Sequence, residues 1–139
     1  MVLNKNSGIF VDSSFFKAFF DNKDDFHQEA LTINQKLALE NATLVTSNYI
    51  LDETFTLLKV KAGLNIALAL REAFITHKFA AQIFRVTAAD DVKAWNWFIK
   101  PWKGLSFTDC TCFVLMERLG LTRVATFDRH FEKAGFTLE

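Results

Sequence analysis

Gly8-Ile9-Phe10-Val11-Asp12 is a continuous apolar run that ends at an aspartate. A run of this length predicts a strand of a parallel sheet covered on both faces, because a strand with one wet face would alternate apolar and polar residues. In open sheets of this kind, ligands bind outside the carboxyl ends of the strands. The segment therefore predicts a fold class and, at Asp12, the edge of the sheet where a site would lie.

Outward from this strand, short apolar runs alternate with amphipathic segments. Further strands are predicted over 43–46, 82–86, 124–127 and 136–138, and helices over 14–20, 24–39, 48–62, 64–78, 88–100 and 107–120. Strands that alternate with helices predict a three-layer α/β/α domain with a mostly parallel central sheet. Because no Ser-, Gln- or Gly-rich stretch marks a linker, we expect a single domain over residues 1–139.

Composition excludes several functional classes. The 16 basic residues balance 16 acidic ones, so no net field draws the chain to nucleic acid or to an anionic membrane, and a polyanion site has to be local. The apolar runs are far shorter than the ~20 residues that a membrane span needs. The 5 glycines are isolated and form no Gly-rich phosphate loop. We expect a cytoplasmic protein without a membrane span.

Two aspartates directly follow predicted strands. Asp12 and Asp128 both stand at the carboxyl edge of the sheet, where open α/β sheets place their ligands. Taken singly, each is explained as a turn aspartate that bonds its own backbone. The occurrence of two such strand ends weakens that explanation.

Two further carboxylates are predicted to point inward from helices. Glu53 lies three residues after Ile50, so helical spacing places it on the apolar stripe of its helix. Asp109 has the capping-box spacing from Ser106, which explains an acid there without any ligand. Phe113, four residues later, nevertheless places Asp109 on the buried side, and one carboxylate can both cap a helix and face a ligand.

Convergence of the four acids would require a cation. At ~5 Å, each pair of carboxylates repels by roughly 3 kcal/mol at an effective dielectric constant of about 20. Ligation by oxygen atoms favours a hard ion such as Mg²⁺ or Mn²⁺, and an acidic site with such ions suits phosphoryl chemistry on a nucleic-acid backbone.

Four segments, in order along the chain, resemble the PIN-domain nucleases, and most closely the VapC-type toxin ribonucleases of bacterial and archaeal toxin–antitoxin pairs. They are Phe10-Val11-Asp12-Ser13-Ser14, the segment 48–58, Leu105-Ser106-Phe107-Thr108-Asp109-Cys110 and Val124-Ala125-Thr126-Phe127-Asp128-Arg129-His130-Phe131. Singly these motifs are weak, but the ordered set of acids with its Ser-Phe-Thr-Asp helix start is specific. The resemblance covers essentially the whole chain and implies a PIN-like fold.

The resemblance also implies endonucleolytic cleavage of RNA. The family's acidic positions map onto Asp12, Glu53, Asp109 and Asp128. Asp12, Asp109 and Asp128 would hold Mg²⁺ or Mn²⁺, which would polarise the scissile phosphate and activate water for in-line attack. Glu53 would orient ligands or that water.

Other polar residues near the acids are assigned less firmly. Ser14 would hold a metal-bound water or, alternatively, cap the following helix. Arg129 and His130 would touch the substrate phosphate or cap their turn. Lys100 and Lys103 are candidates, with Arg129, for a local basic rim that binds RNA.

A toxin of this family implies three partners: an RNA substrate, a small antitoxin whose segment covers the acidic groove, and a second copy in a homodimer. The alternatives are a non-catalytic PIN-like module that binds RNA or protein, and a free-standing RNA-processing nuclease. A response-regulator receiver would need an acidic pair after the first strand, and a haloacid-dehalogenase-like phosphatase would need a second aspartate where Ser14 stands. Both of those folds are excluded on these residues.

Overall fold

β1 (Gly8–Val11) lies in the middle of a five-stranded sheet in the computed structural model of this chain, which describes residues 8–139. The other strands are β2 (Thr43–Ser47), β3 (Ala81–Phe84), β4 (Arg123–Ala125) and β5 (Thr137–Leu138). All four neighbouring pairs are parallel, in the order β3-β2-β1-β4-β5. The predicted α/β/α fold with a parallel sheet is confirmed. The first seven residues of the predicted domain lie outside the described part.

Seven helices connect the strands within residues 8–139. They are α1 (Ser13–Phe20), α2 (His27–Leu39), α3 (Asn48–Lys61), α4 (Leu64–Ile75), α5 (Ala88–Phe98), α6 (Phe107–Leu119) and α7 (His130–Lys133). Because crossovers between parallel strands are right-handed, α1 to α4 cover one face of the sheet and α5 to α7 cover the other. The packing agrees: α1 contacts α2, α3 and α4, whereas α6 contacts α5 and α7.

The order in which successive strands join the sheet reverses beside β1, since β2 and β3 lie on one side of it and β4 and β5 on the other. β1 pairs with β2 on one side and with β4 on the other, with Val11 in register with Ala125. Since the helices that follow these two strands leave to opposite faces, a crevice opens at the carboxyl ends of β1 and β4. Residues just beyond Val11 and Ala125 therefore border this crevice.

The core explains why these residues form these elements. Ile9, Phe10 and Val11 are fully buried, as expected for a strand covered on both faces. α6 is buried along most of its length, from Asp109 to Met116, so an acid in its first turn starts within the core. In the described part of the chain, no helix is both long enough and apolar enough to cross a membrane.

Two helices begin with capping boxes, and the sequence analysis predicted the one formed by Ser106 and Asp109. Thr87 and Asp90 begin α5, and Ser106 and Asp109 begin α6; in each pair the side chains and backbone N–H groups bond reciprocally. These boxes satisfy N–H groups that a helix start leaves without partners.

The segment after β4 differs from the prediction. β4 ends at Ala125 rather than 127, because the side chain of Thr126 turns to bond Asp12 and the backbone of Asp128. The single-turn helix α7 was not predicted, since four residues are too few to show a helical pattern.

Candidate active site at the carboxyl edge of β1 and β4

The structure brings the four predicted acids together at the crevice between β1 and β4. Asp12 follows β1, Asp128 lies just beyond β4, Asp109 lies in the first turn of α6, and Glu53 lies in α3. Burial raises the pKa values of Glu53 and Asp109, and the negative charges of Asp12 and Asp128 raise them further. Residues from four separate parts of the chain therefore share one electrostatic environment.

Asp12 is held by hydroxyl groups from both ends of the chain. Its side chain is buried, and Oδ2 accepts hydrogen bonds from Ser14 Oγ at 2.9 Å and from Thr126 Oγ1 at 2.8 Å. Oδ2 also accepts the backbone N–H of Ser14 at 3.4 Å, so Asp12 rather than Ser14 caps α1. Burial raises the pKa of Asp12, and the bonds from Thr126 and Ser14 offset part of that rise. Oδ1 accepts a long hydrogen bond from Ser13 Oγ at 3.5 Å.

Thr126 joins the two strand-end aspartates, and the sequence analysis missed it. Its hydroxyl donates to Asp12 and accepts the backbone N–H of Asp128 at 3.0 Å. Ser14 Oγ lies 3.1 Å from the same hydroxyl and accepts the N–H of Phe127 at 2.9 Å. The available signal was the spacing, because a threonine two residues before an aspartate can close a local turn with its hydroxyl.

Asp109 caps α6 and lies beside the other acids. Oδ2 accepts the N–H of Ser106 at 3.1 Å, and Ser106 Oγ accepts the N–H of Asp109 at 3.0 Å. The residue is only 8% exposed. Burial raises its pKa to about 6, and the charges of Asp12 and Asp128 contribute to that rise. The carboxylate therefore caps α6 while it faces the other acids.

Asp128 forms the turn that the sequence analysis named as an alternative. Its Oδ1 accepts the backbone N–H of His130 at 2.9 Å. The imidazole of His130 packs over the same carboxylate, with Nδ1 2.8 Å from Asp128 Oδ1 and 4.0 Å from Asp109 Oδ2. Arg129 is 85% exposed at its side chain and pairs with Glu132 at 2.8 Å, so its contact with substrate stays a prediction.

Glu53 does not lie on the apolar stripe of α3 where the sequence analysis placed it. The buried positions of that helix are Ile50, Thr54 and Leu58, and Glu53 is exposed one position away. Partial loss of hydration still raises its pKa, and the nearby Ser13 side chain opposes that effect. Glu53 therefore lies at the rim of the crevice, in reach of water, rather than inside it.

The negative charge of this group has no basic counterpart from lysine or arginine. Within residues 8–139, the ion pairs of those side chains are all made with acids other than Asp12, Glu53, Asp109 and Asp128. Ligand atoms of Asp109, Asp128 and His130 lie within 4.8 Å of one another. Carboxylate oxygens and an imidazole nitrogen at this spacing fit a divalent cation.

Two lysines, one on the loop before α6 and one in α7, lie against tryptophan rings. Lys100 lies over the rings of Trp97 and Trp102, at 5.5 and 5.6 Å from their centroids, and Lys133 lies 4.9 Å from that of Trp102. Cation–π contacts of this kind fix the ammonium groups near the surface. The backbone carbonyl of Lys103 reaches His130 Nε2 at 2.8 Å, which ties this loop to the acidic group.

Comparison with known proteins gives consistent results. A sequence profile of the PIN domain matches residues 9–137. Two relatives, both named 23S rRNA-specific endonuclease VapC20, come from Mycobacterium tuberculosis strains CDC 1551 / Oshkosh and ATCC 25618 / H37Rv. Each is 34% identical over 129 residues, which cover 92% of this chain and 95% of the relative.

Two solved structures share the fold. One is Mycobacterium tuberculosis VapC20, described as a toxin that cleaves the sarcin-ricin loop. It is 31% identical, with a TM-score of 0.79 over 93% of this chain and 96% of that one. The other is DNA-bound VapBC from Salmonella typhimurium, 14% identical with a TM-score of 0.64 over 100% and 98% of the two chains, which supports the fold alone. From the matched profile and the extent of identity, the chain belongs to the PIN-domain family.

Proposed function

We propose that this protein is a metal-dependent endoribonuclease and the toxin of a toxin–antitoxin pair. One observation carries the proposal: Asp12, Glu53, Asp109 and Asp128 meet at the switch point of a PIN fold without a lysine or arginine counter-charge among the described residues. The 34% identical relatives are named endonucleases of 23S rRNA, which supports RNA as the substrate class. We expect the chain to act in the cytoplasm as a single domain, residues 1–139.

Mg²⁺ or Mn²⁺ held by Asp12, Asp109 and Asp128 would supply the Lewis-acid chemistry, polarising the scissile phosphate and activating water. The protein contributes the placement of these three ligands. Hydroxyl groups fix Oδ2 of Asp12, whereas Oδ1 accepts only a long hydrogen bond from Ser13 among the described residues and is the proposed ligand atom. The capping box fixes one oxygen of Asp109, and the turn at His130 fixes Oδ1 of Asp128.

Glu53 has a different role in this proposal. Because it is exposed at the rim and its pKa is raised by lost hydration, it is suited to accept a hydrogen bond from the attacking water rather than to hold the metal tightly. Glu53 is therefore proposed as a positioning residue for water.

A groove beside the acids has the features of a single-strand RNA path. It encloses about 470 Å³, and its lining includes Ser14, Phe26, Phe127, Asp128 and Arg129. The rings of Phe26 and Phe127 are stacked, with centroids 4.7 Å apart and 12° between their planes, and Phe26 is 44% exposed. An exposed aromatic face next to a phosphate-cleaving centre can stack a nucleobase. We propose Ser14 and Arg129 as substrate-side residues of this groove.

The test of the proposed function is cleavage of total cellular RNA by the purified protein with Mg²⁺ or Mn²⁺. We expect discrete products that disappear on addition of EDTA and in Asp12→Asn. The matched control is Asp25→Asn. Asp25 is an exposed acid in the turn before α2 and is not one of the four acids of the crevice. If the well-folded protein cleaves nothing under these conditions, the proposal is wrong and a non-catalytic RNA- or protein-binding module is favoured.

The antitoxin partner follows from the same proposal. An antitoxin segment that covers the groove would place a cationic side chain, such as arginine, among the uncompensated carboxylates. A short reading frame beside the gene is expected to encode it, and its product should bind the toxin and abolish RNA cleavage. A free-standing RNA-processing nuclease would have no such neighbour. We also propose a homodimer.

A further inference from the structure

His130 carries a buried ring nitrogen that makes no hydrogen bond. Among the described residues, its Nδ1 is the buried side-chain nitrogen or oxygen that makes no hydrogen bond. An orphaned polar atom is costly inside a protein, and such an atom in a native structure often marks a place where an ion or a ligand binds. Nδ1 points toward the carboxylates of Asp109 and Asp128.

The other ring nitrogen defines the tautomer. Nε2 lies 2.8 Å from the backbone carbonyl oxygen of Lys103. A carbonyl oxygen can only accept a hydrogen bond, so Nε2 carries the proton and the neutral ring presents a lone pair at Nδ1. Histidines that bind metals typically donate their second nitrogen to a carbonyl or carboxylate in this way, which fixes the ring orientation.

The distances around Nδ1 are those of ligand atoms that share one ion. Nδ1 lies 2.8 Å from Asp128 Oδ1 and 4.0 Å from Asp109 Oδ2. Around a six-coordinate ion with bonds of ~2.1 Å, neighbouring ligand atoms are ~3 Å apart and opposite ones ~4.2 Å apart. No acceptor meets hydrogen-bond geometry with Nδ1, so a proton on this nitrogen does not explain the short approach to Asp128.

We propose that His130 is a metal ligand, with Nδ1 completing the group formed by Asp109 and Asp128. The inference rests on the proposed metal-dependent function and adds the choice of ion to it. Mn²⁺ also favours oxygen ligands, but as a transition-metal ion it binds an imidazole nitrogen more readily than Mg²⁺ does. The chain therefore binds Mn²⁺ more tightly than Mg²⁺, and His130 is the source of that preference.

Two substitutions separate ligation from support of the loop. His130→Gln keeps a donor where Nε2 lies, so it retains the bond to the Lys103 carbonyl and loses the atom at Nδ1. His130→Asn places an amide oxygen where Nδ1 lies and loses the bond to Lys103. If His130 ligates the metal, the affinity for Mn²⁺ falls at least about tenfold in His130→Gln and less in His130→Asn. If His130 only anchors the loop, this order reverses.

Pulsed electron paramagnetic resonance of the Mn²⁺ complex of the full chain tests the ligand directly. We expect modulation from a directly bound ¹⁴N nucleus in the wild type, loss of it in His130→Gln, and its retention in His77→Asn. His77 is an exposed histidine with a left-handed backbone (φ 57°) that asparagine tolerates, which makes it a matched control. Calorimetric titration with Mn²⁺ and with Mg²⁺ gives the change in ion preference.

Parallel RNA cleavage keeps the two proposals apart. Bound Mn²⁺ without nitrogen modulation, together with metal-dependent RNA cleavage, overturns the role of His130 and leaves the proposed function intact. Nitrogen modulation that depends on His130, together with no RNA cleavage, supports the ligand and overturns the nuclease. Failure of the chain to bind Mn²⁺ overturns the inference about His130.

Discussion

At the scale of single residues, the ionised carboxylate of Asp109 destabilises the fold, and a bound cation would offset that cost. Burial raises its pKa to about 6 from an ordinary value of 3.8, and Asp12 and Asp128 add to the rise. A carboxyl group whose pKa is raised in the folded state binds protons more tightly when folded, so its ionisation destabilises the fold. The penalty is absent below about pH 3.8, grows as the pH rises toward 6 and is complete above that value.

We predict that Asp109→Asn stabilises the metal-free protein at pH 8. Asparagine retains an oxygen that can accept the N–H of Ser106, so the capping box survives while the charge is removed. A shift of this size corresponds to up to about 2–3 kcal/mol of unfolding free energy. Urea denaturation in EDTA at pH 8 and at pH 4 measures the effect, which should shrink at pH 4.

Added Mn²⁺ provides the control for this prediction. The ion should stabilise the wild type strongly and Asp109→Asn weakly, because a ligand that binds only the folded state raises the free energy of unfolding with the logarithm of its affinity. A variant less stable than the wild type at pH 8 without metal would show that the capping role outweighs the repulsion.

The acids themselves could be found from the sequence, but their surroundings could not. Asp12 and Asp128 follow apolar strands, and Asp109 opens a helix with a recognisable box, so local patterns identify all three. Glu53 was misplaced because helical spacing gives the direction of a side chain only to within one position, and Thr54 occupies the buried row. Pairing of Thr126 with Asp12 spans 114 positions, and no local pattern encodes a contact of that range.

At the scale of elements, the two capping boxes place their aspartates in opposite electrostatic surroundings. Both α5 and α6 begin with a hydroxyl residue and a buried aspartate three positions later. Asp90 accepts bonds from Arg118 at 2.8 and 3.1 Å, and this hydrogen bonding and charge lower its pKa despite the burial. Asp109 faces carboxylates instead. The same motif is thus distinguished by the partners that the fold places opposite it.

We predict that Asp90→Asn has the opposite effect on stability to Asp109→Asn. Removal of the charge leaves Arg118 without its carboxylate, so the free energy of unfolding at pH 7 should fall by about 1–3 kcal/mol. Because the pKa of Asp90 is lowered, its contribution is present above about pH 3.8 and is lost as the pH falls through the lowered value. Urea denaturation measures the change.

RNA cleavage by Asp90→Asn should match the wild type below the unfolding transition, because Asp90 touches neither the crevice nor its acids. The prediction is contradicted if Asp90→Asn is as stable as the wild type, or if it loses cleavage while it remains folded.

The sequence predicts the ends of helices and strands correctly where local capping residues define them. It fails where contacts between distant residues define them. Gly120 ends α6 in a left-handed conformation (φ 71°), and Ser106 starts the same helix, both as predicted. β4 stops early and α7 forms next to it, because Thr126, Asp128 and their partners bend the chain toward β1. The unpredicted part of the fold is therefore the part that builds the candidate site.

At the scale of the whole molecule, charge is separated although the net charge is zero. The acids gather at the switch point between β1 and β4, while Lys100 and Lys133 are held against Trp102 nearby. A polyanion can approach such a surface only where bound cations offset the acids. Under the proposed function, divalent ions would therefore serve the binding of RNA as well as its cleavage. Net charge alone could not have revealed this local contrast.

An apolar stripe on α5 is the feature of the surface that bears on assembly. Val92, Trp95 and Ile99 are 72%, 55% and 75% exposed, and their spacing of three and four residues puts them on one side of the helix. Phe98 and Phe107 pack against Trp95, with centroids 5.3 and 5.5 Å away. Contiguous exposed apolar residues of this kind mark an association surface.

We predict that the stripe of Val92, Trp95 and Ile99 pairs with its own copy across a twofold axis, and that Trp95→Glu dissociates the homodimer. The introduced glutamate would be buried in the interface, and the twofold axis would place the same glutamate of the other copy nearby. Both the loss of hydration and the repulsion between the two charges are unfavourable. Light scattering after size exclusion, over a series of concentrations, should give a dimer for the wild type and a monomer for Trp95→Glu, with unchanged circular dichroism.

Leu39→Glu is the control, since Leu39 is 86% exposed on α2, away from the stripe. A wild type that is monomeric throughout, or a Trp95→Glu variant that still dimerises, contradicts the prediction. A monomeric wild type whose antitoxin binding fails in Trp95→Glu would assign the stripe to the antitoxin instead.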